Sequence, residues 1–227
     1  MKLLLDNKEH LLDNIWAFRF KPSEPLKWTA GQFMRVELPH DNPDEEGTKR
    51  WFTISSPPYE GIVQITTRVT DSTFKQALSK LPIGGELPLV EKPEGDFIWE
   101  DSDLPIVFVA GGIGITPFRS ILQQRAHDHL PIPVTLVYGS RTEDVPFKDE
   151  FSELEKSDPH FTVDYVVGEP LTAESLAALL PNLNGSLVYI SGPEPMVIAL
   201  AKDLQAHGLP GTQLKRDEFP NYDKTNY

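Results

Sequence analysis

The chain contains no cysteine. That absence excludes disulfides, thiolate-bound zinc and cysteine-ligated iron–sulfur clusters within it, so any redox chemistry needs a borrowed cofactor. No apolar run is long enough to cross a membrane. The opening MKLLLDNKEHLLDN interrupts its leucines with acidic residues and offers no small-residue cleavage site, so a secretory signal is not expected and the cytoplasm is the default location. Positive charge is scarce: 21 Lys and Arg stand against 34 Asp and Glu, a net charge of −13. This balance argues against nucleic acid as a partner, because phosphate binding needs clustered cations. Of the six histidines, His127 and His129 are two apart in a predicted helix, hence on different faces, and the other four are scattered. No metal site is expected from them. The acidic cluster DNPDEE at 41 to 46 fits no calcium-loop spacing and reads as a solvated loop.

What is present divides into two rhythms. At 227 residues the chain exceeds the usual length of one domain. Up to about Gly95 the text is strand-like (LLLD, NIWAFRF, QFMRVELP, RWFTISS, IVQITTRVT, ELPLVEKP), broken by Pro, Gly, Asn and Asp, which predicts an antiparallel β-barrel of Greek-key type. After EKPEGDFIWEDSDLP the apolar strand PIVFVA leads into GGIGITPFRSILQQRAHDH and the strand VTLVYGS. Helical DEFSELEKS, LTAESLAALLP and PEPMVIALAKDLQAHG then alternate with strands FTVDYVV and SLVYISG. That alternation calls for an α/β domain, a parallel sheet with helices on both faces. The boundary falls near Asp101 to Leu104, giving domains 1–100 and 101–227.

Three turns lie on one edge of that second sheet. In GGIGITP, Gly111, Gly112 and Gly114 let the backbone turn tightly, while Thr116 is placed to cap a helix and Pro117 to occupy its first position. The N–H groups and dipole of such a helix favour a phosphate. The match to a dinucleotide fingerprint is incomplete, since Pro117 holds the third glycine position, and no following lysine makes it a nucleotide-triphosphatase loop. The next strand ends in Ser140 and Arg141 instead of an acidic residue, which leans towards a 2′-phosphate and so NADPH, with Glu143 and Asp144 as ribose partners if NADH is used. YISGPEPM supplies the third turn. In the first half, RWFTISSPP reads as a strand in which Arg50, Phe52 and Ile54 point one way and Trp51, Thr53 and Ser55 the other. On that bare reading Arg50 stands in solvent.

The ordered set RWFTISS, TTRVTDSTFKQAL, AGGIGITPFRSI, VYGSRTEDVPFKDEF, YISGPEPM and RDEFPNY resembles the ferredoxin–NADP⁺ reductase family, over essentially the whole chain. The resemblance implies FAD on the first domain, with Arg50 on its pyrophosphate, Phe52 on the isoalloxazine, Thr53 near flavin N5, and Trp51 among the cofactor-binding side chains. Thr66, Thr67 and Arg68 would edge the flavin or its ribityl chain. Ser72 and Thr73 would put hydroxyls and helix N–H groups on the pyrophosphate, a second phosphate element that favours FAD over FMN. Ser72 as a plain helix cap is the alternative. Phe52 departs from the commoner Tyr, so a phenolic hydrogen bond to the ribityl chain is missing.

On the second domain the resemblance gives Gly111, Gly112, Gly114, Thr116, Pro117, Ser140, Arg141, Gly192, Pro193 and Met196 to the nicotinamide nucleotide. Ser191 stands where many members carry the Cys of C-G-P, so its role would be orientation. Glu218 and Phe219 are implied near the flavin, with Tyr222 and Tyr227 as competing candidates for a displaceable cover. Catalysis would then rest on Thr53, Ser191, Glu218 and Phe219, with hydride passing between NAD(P)H and flavin N5. Electrons would leave to a ferredoxin or flavodoxin, to which Lys21, Lys27, Lys49, Arg50, Lys75 and Lys80 could offer a basic patch. The alternatives are a diaphorase-like reductase of flavins, ferric complexes or quinones, and a non-catalytic flavin-binding subunit of a larger complex.

Overall fold

The computed structural model describes residues 1–219. It divides into two compact units, one of residues 1–99 with 119–127, the other of residues 100–118 with 128 onward.

The first unit is built from β1 (Lys2–Leu12), β2 (Ile15–Pro22), β3 (Phe33–Glu37), β4 (Lys49–Thr53), β5 (Val63–Arg68), α1 (Thr73–Lys80) and β6 (Glu86–Glu94). The strands run antiparallel in the order β4-β3-β6-β1-β2-β5. Alternation drives them: in β1, Leu3 and Leu5 are buried while Lys2, Leu4 and Asp6 face out. Their partners inside are Phe18, Phe20, Met34, Val36, Ile65 and Leu87, and α1 adds Phe74 and Leu78, one turn apart on a single face.

The run after β4 ties the two edge strands together. Ser55 N donates to Gln64 O (2.9 Å) and Ser55 Oγ to the same carbonyl (3.0 Å), while Ser56 Oγ donates to Ile62 O and accepts from Gln64 N, both at 2.8 Å. Both serines are fully buried. Their hydroxyls replace ladder bonds that a regular strand would make, and Pro57 and Pro58, which have no N–H to donate, end the pairing.

The second unit holds β7 (Ile106–Gly111), the start of α2 (Ile115–His127), β8 (Val134–Ser140), α3 (Lys148–Ser157), β9 (Thr162–Val167), α4 (Ala173–Leu179), β10 (Leu187–Pro193), α5 (Glu194–Ala206) and β11 (Leu214–Phe219). Its sheet is parallel throughout, in the order β11-β10-β7-β8-β9. β7 and β10 are buried along their whole length, as strands covered on both faces must be. Val107, Val109, Val188 and Ile190 meet Val197, Leu200 and Leu204 of α5.

Two differences from the sequence reading stand out. A second domain continuous from residue 101 leaves no place for residues 119–127 in the first unit, where Arg119 Nη1 donates to Ser55 O and Ser120 Oγ to Ser56 O, each at 2.8 Å. The segment LKRDEF, read as a tail, is instead an edge strand. Four charges in six residues mask its β character, and charges of this kind suit an edge.

Candidate functional site

In the parallel sheet the chain runs β7, β8, β9 to one side and then returns to lay β10 and β11 on the other. Strand order therefore reverses between β7 and β10, the place where open α/β sheets take their ligands. Both strands end there in glycine turns. Gly111 leads into a 3₁₀ turn over Gly112–Gly114, with Gly112 in the left-handed region at φ 51°. Gly114 is the tightest of these turn glycines: a Cβ on it would stand 2.2 Å from Ser191 O and 2.6 Å from Gly192 Cα. Only glycine lets the two turns pack that closely, so this glycine is required by the scaffold of the crevice itself. Gly192 lies against Gly111 and Met196 in the same way.

Thr116 does not cap α2. The helix begins one residue earlier, at Ile115, because the 3₁₀ turn already supplies its first carbonyls; Thr116 Oγ1 donates to Ile113 O (3.0 Å) and Pro117 sits inside the first turn. Ser140 ends β8 and its Oγ accepts from Thr142 N at 3.3 Å; Arg141 beside it is exposed.

Ser191 is fully buried on β10, in register with Ala110 on one side and Asp217 on the other. Its Oγ donates to Asp217 Oδ2 at 3.0 Å. Desolvation pushes the Asp217 carboxyl up to about 7, with the nearby Glu218 charge adding to the rise and the Ser191 hydrogen bond opposing it. The pair can hold or release a proton near neutrality. The resemblance implies Glu218 near the flavin and says nothing of Asp217. Glu218 lies opposite Gly192 and pairs with Arg216 at 3.5 Å; as the neighbour of Asp217 on the strand it faces the other way. Recognising LKRDEF as a strand would have pointed to Asp217 by register. Phe219 is partly buried opposite Pro193; Tyr222 and Tyr227 lie outside the described residues.

The first unit gathers Arg50, Ser72 and Thr73. Arg50 is 8% exposed, which overturns the bare reading of a solvent-facing arginine. Its Nη2 meets Asp44 Oδ1 at 2.5 Å, and its Nη1 donates to the carbonyls of Glu46, Gly47 and Lys49, each at 2.9 Å. Glu46 Oε2 lies 2.7 Å from Nε, though not along a hydrogen-bonding direction. Asp44 also reaches α1: Thr73 N donates to Asp44 Oδ2 (3.1 Å), and Asp44 N donates to Thr73 Oγ1 (3.0 Å). Burial opposes ionisation of Asp44, but the bonds from Arg50 and Thr73 outweigh it and lower its pKa. DNPDEE is thus no plain solvated loop; two of its acids grip Arg50.

This arrangement tests the fit of a phosphate. The Asp44 carboxylate bridges a guanidinium and the first N–H of a helix, donors of the kind that bind phosphate. Two buried donors nearby make no hydrogen bond among the described residues: Ser72 Oγ, and Arg50 Nε, which already faces the Glu46 carboxylate. Ser72 is the N-cap residue of α1, its carbonyl accepting from Gln76 N at 3.0 Å, but its hydroxyl makes no cap bond. The residues fit an anionic group.

The other flavin candidates are spread along β4 and β5. Phe52 is partly buried and packs on Phe74 (centroids 5.8 Å), and Thr53 ends β4 opposite Phe33. Trp51 is 42% exposed, edge-on to Phe33 at 5.2 Å with Arg35 above it. Thr66 and Thr67 are buried. Thr66 Oγ1 is engaged by Ser55 Oγ and Gln64 Nε2, and Arg68 Nη1 donates to Asn14 Oδ1.

Residues 108–202 match the oxidoreductase NAD-binding domain family. The chain is 26% identical to flavohemoprotein A of Dictyostelium discoideum over 96% of its own length and 60% of that protein's, so it spans about three-fifths of this relative. It is 29% identical to the NAD(P)H-flavin reductase of Aliivibrio fischeri, covering 70% of this chain and 69% of that one. Among solved structures, a ferredoxin NADP⁺ reductase from Neisseria gonorrhoeae with bound FAD and NADP aligns over 98% of both chains with a TM-score of 0.80 and 18% identity. The chain therefore has the two-domain fold of the ferredoxin–NADP⁺ reductases and flavohemoprotein FAD/NAD-binding domains, and carries an oxidoreductase NAD-binding domain.

Proposed function

We propose that this protein is an FAD-dependent NAD(P)H oxidoreductase that takes hydride from the nicotinamide and passes electrons to a separate acceptor. The observation that carries this reading is the pair of glycine turns at the reversal between β7 and β10, with the buried Ser191–Asp217 pair beside them. Bound FAD supplies the hydride-accepting ring and the means to release electrons one or two at a time. Gly111, Gly112 and Gly114 let a nucleotide approach the backbone, and Arg141 and Ser140 select a 2′-phosphate, favouring NADPH over NADH. Ser191 orients the nicotinamide, and Asp217 Oδ2 fixes the Ser191 hydroxyl while holding a proton near neutrality. Arg50, Ser72 and Thr73 would take the flavin phosphates, Phe52 would pack against the ring, and Thr53 would serve its reactive edge.

For the acceptor, a ferredoxin or flavodoxin is the family reading. One observation favours a small acceptor such as a free flavin, a ferric complex or a quinone. Two of the six candidate patch cations are already paired, Lys21 with Asp6 (2.7 Å) and Arg50 with Asp44 (2.5 Å) and Glu46 (2.7 Å), in a chain of net charge −13. The test is an anaerobic visible spectrum of the flavin-loaded protein before and after NADPH and, separately, NADH. Bleaching at lower NADPH than NADH is expected; a protein that takes up no flavin overturns the reading. Turnover on ferredoxin against ferricyanide or quinone then separates the acceptors.

A further inference from the structure

The grip of the 41–47 loop on Arg50 has a consequence for flavin binding, and it rests on the function proposed above. We infer that Asp44, assisted by Glu46, is an internal anion that competes with the flavin's phosphates for Arg50 and the start of α1, and so decides which flavin the protein holds and how tightly.

The geometry leaves little room for both anions. Arg50 has five N–H donors; those on Nη1 already serve three backbone carbonyls of the loop, and Nη2 meets Asp44. The first amide of α1 serves Asp44 as well, and Thr73 Oγ1 is shared by Asp44 N and His40 Nε2. Nε of Arg50 is faced by Glu46 Oε2 at 2.7 Å outside a hydrogen-bonding direction, and Oγ of Ser72 has no hydrogen-bonded partner among the described residues. A diphosphate that takes up both Arg50 and the start of α1 would displace Asp44 and Glu46 from them, exchanging one set of anions for another. Such an exchange costs the flavin a charge-assisted bond and a loop rearrangement, a factor of about ten or more in affinity. A phosphate-free flavin bears none of that cost. The device therefore narrows the advantage of FAD over flavins without phosphate, and keeps Arg50 from being a buried, unpaired cation when no flavin is present.

The experiment is calorimetric titration of the flavin-free protein with FAD and with riboflavin, for the wild type, Asp44→Asn and Glu46→Gln. Asp44→Asn should tighten FAD about tenfold or more and leave riboflavin within about twofold; Glu46→Gln should act in the same direction more weakly. Equal or weaker FAD binding by Asp44→Asn, or equal tightening of both flavins, would overturn the inference and make Asp44 a positioning partner of Arg50. Amide exchange in the wild type gives a second readout that needs no variant. FAD should lower protection across residues 41–47 while raising it at the start of α1, and a rise in both would also overturn the inference. If the wild type binds neither flavin, the proposed function itself falls and this inference with it; if it binds FAD and only the variant behaves otherwise, the inference alone fails.

Discussion

Replacing Asp217 by asparagine should remove a specific pH dependence from the stability of the second unit. Asp217 titrates at about 7 in the folded protein against 3.8 unfolded. Between those values the folded state holds the proton and the unfolded state does not, so the folded state binds more protons and stability falls as pH rises. The contribution is fully present below the unfolded pKa and gone once pH passes the folded one. From pH 5 to pH 8 the loss comes to at most about 3 kcal/mol, because each tenfold difference in proton affinity between the two states is worth about 1.4 kcal/mol. For a chain of this size that is roughly 6–12 °C of melting temperature. The assay is thermal melting at pH 5, 6, 7 and 8 for the wild type and Asp217→Asn, read as the difference between them so that other carboxylates cancel. The wild type should lose stability relative to the variant on the alkaline side. Parallel curves would refute the reasoning, since they would mean the carboxyl ionises as readily in the fold as outside it.

Other outcomes follow from single contacts. Gly114→Ala drives a methyl to 2.2 Å from Ser191 O and should cost about 3 kcal/mol, measured as a shift in urea midpoint, with weakened NADPH binding in whatever folds. Arg141→Ala should lower kcat/KM for NADPH about ten- to a hundredfold while leaving NADH nearly unchanged; equal losses for both would remove Arg141 from nucleotide selection. Asp158 accepts from the amides of Ile132 and His160, at 3.0 and 2.9 Å; burial opposes ionisation, but these bonds outweigh it and lower its pKa. Its stabilisation is present above the unfolded value of 3.8 and lost as pH falls further, so Asp158→Ala should cost about 1–2 kcal/mol at neutral pH, with the gap narrowing in acid melts.

Which parts were legible in the sequence depends on how each residue is held. The parallel strands announced themselves because burial on both faces demands continuous apolar runs, as in IVFVA and LVYIS, and the antiparallel strands because burial on one face demands alternation. The glycine turns were legible because their cause is local, although the clash that makes Gly114 necessary comes from Ser191, far along the chain. β11 was not legible: an edge strand is specified by hydrogen bonds to its neighbour, and its charges conceal the pattern. Asp217 was lost with it, since only the register against β10 distinguishes it from Glu218.

Asp44 failed for a related reason. A run of acids in a loop reads as solvated whenever its partner is distant, and here the partner is Arg50, six residues on and folded back by the turn between, together with the start of α1, twenty-nine residues away. The same contacts that hide Asp44 from the sequence give the site its electrostatic character. A buried guanidinium cannot stand alone, and the chain pairs this one from its own loop. If Arg50 takes a phosphate as proposed, its affinity for that phosphate would be a difference between two anions instead of the strength of one.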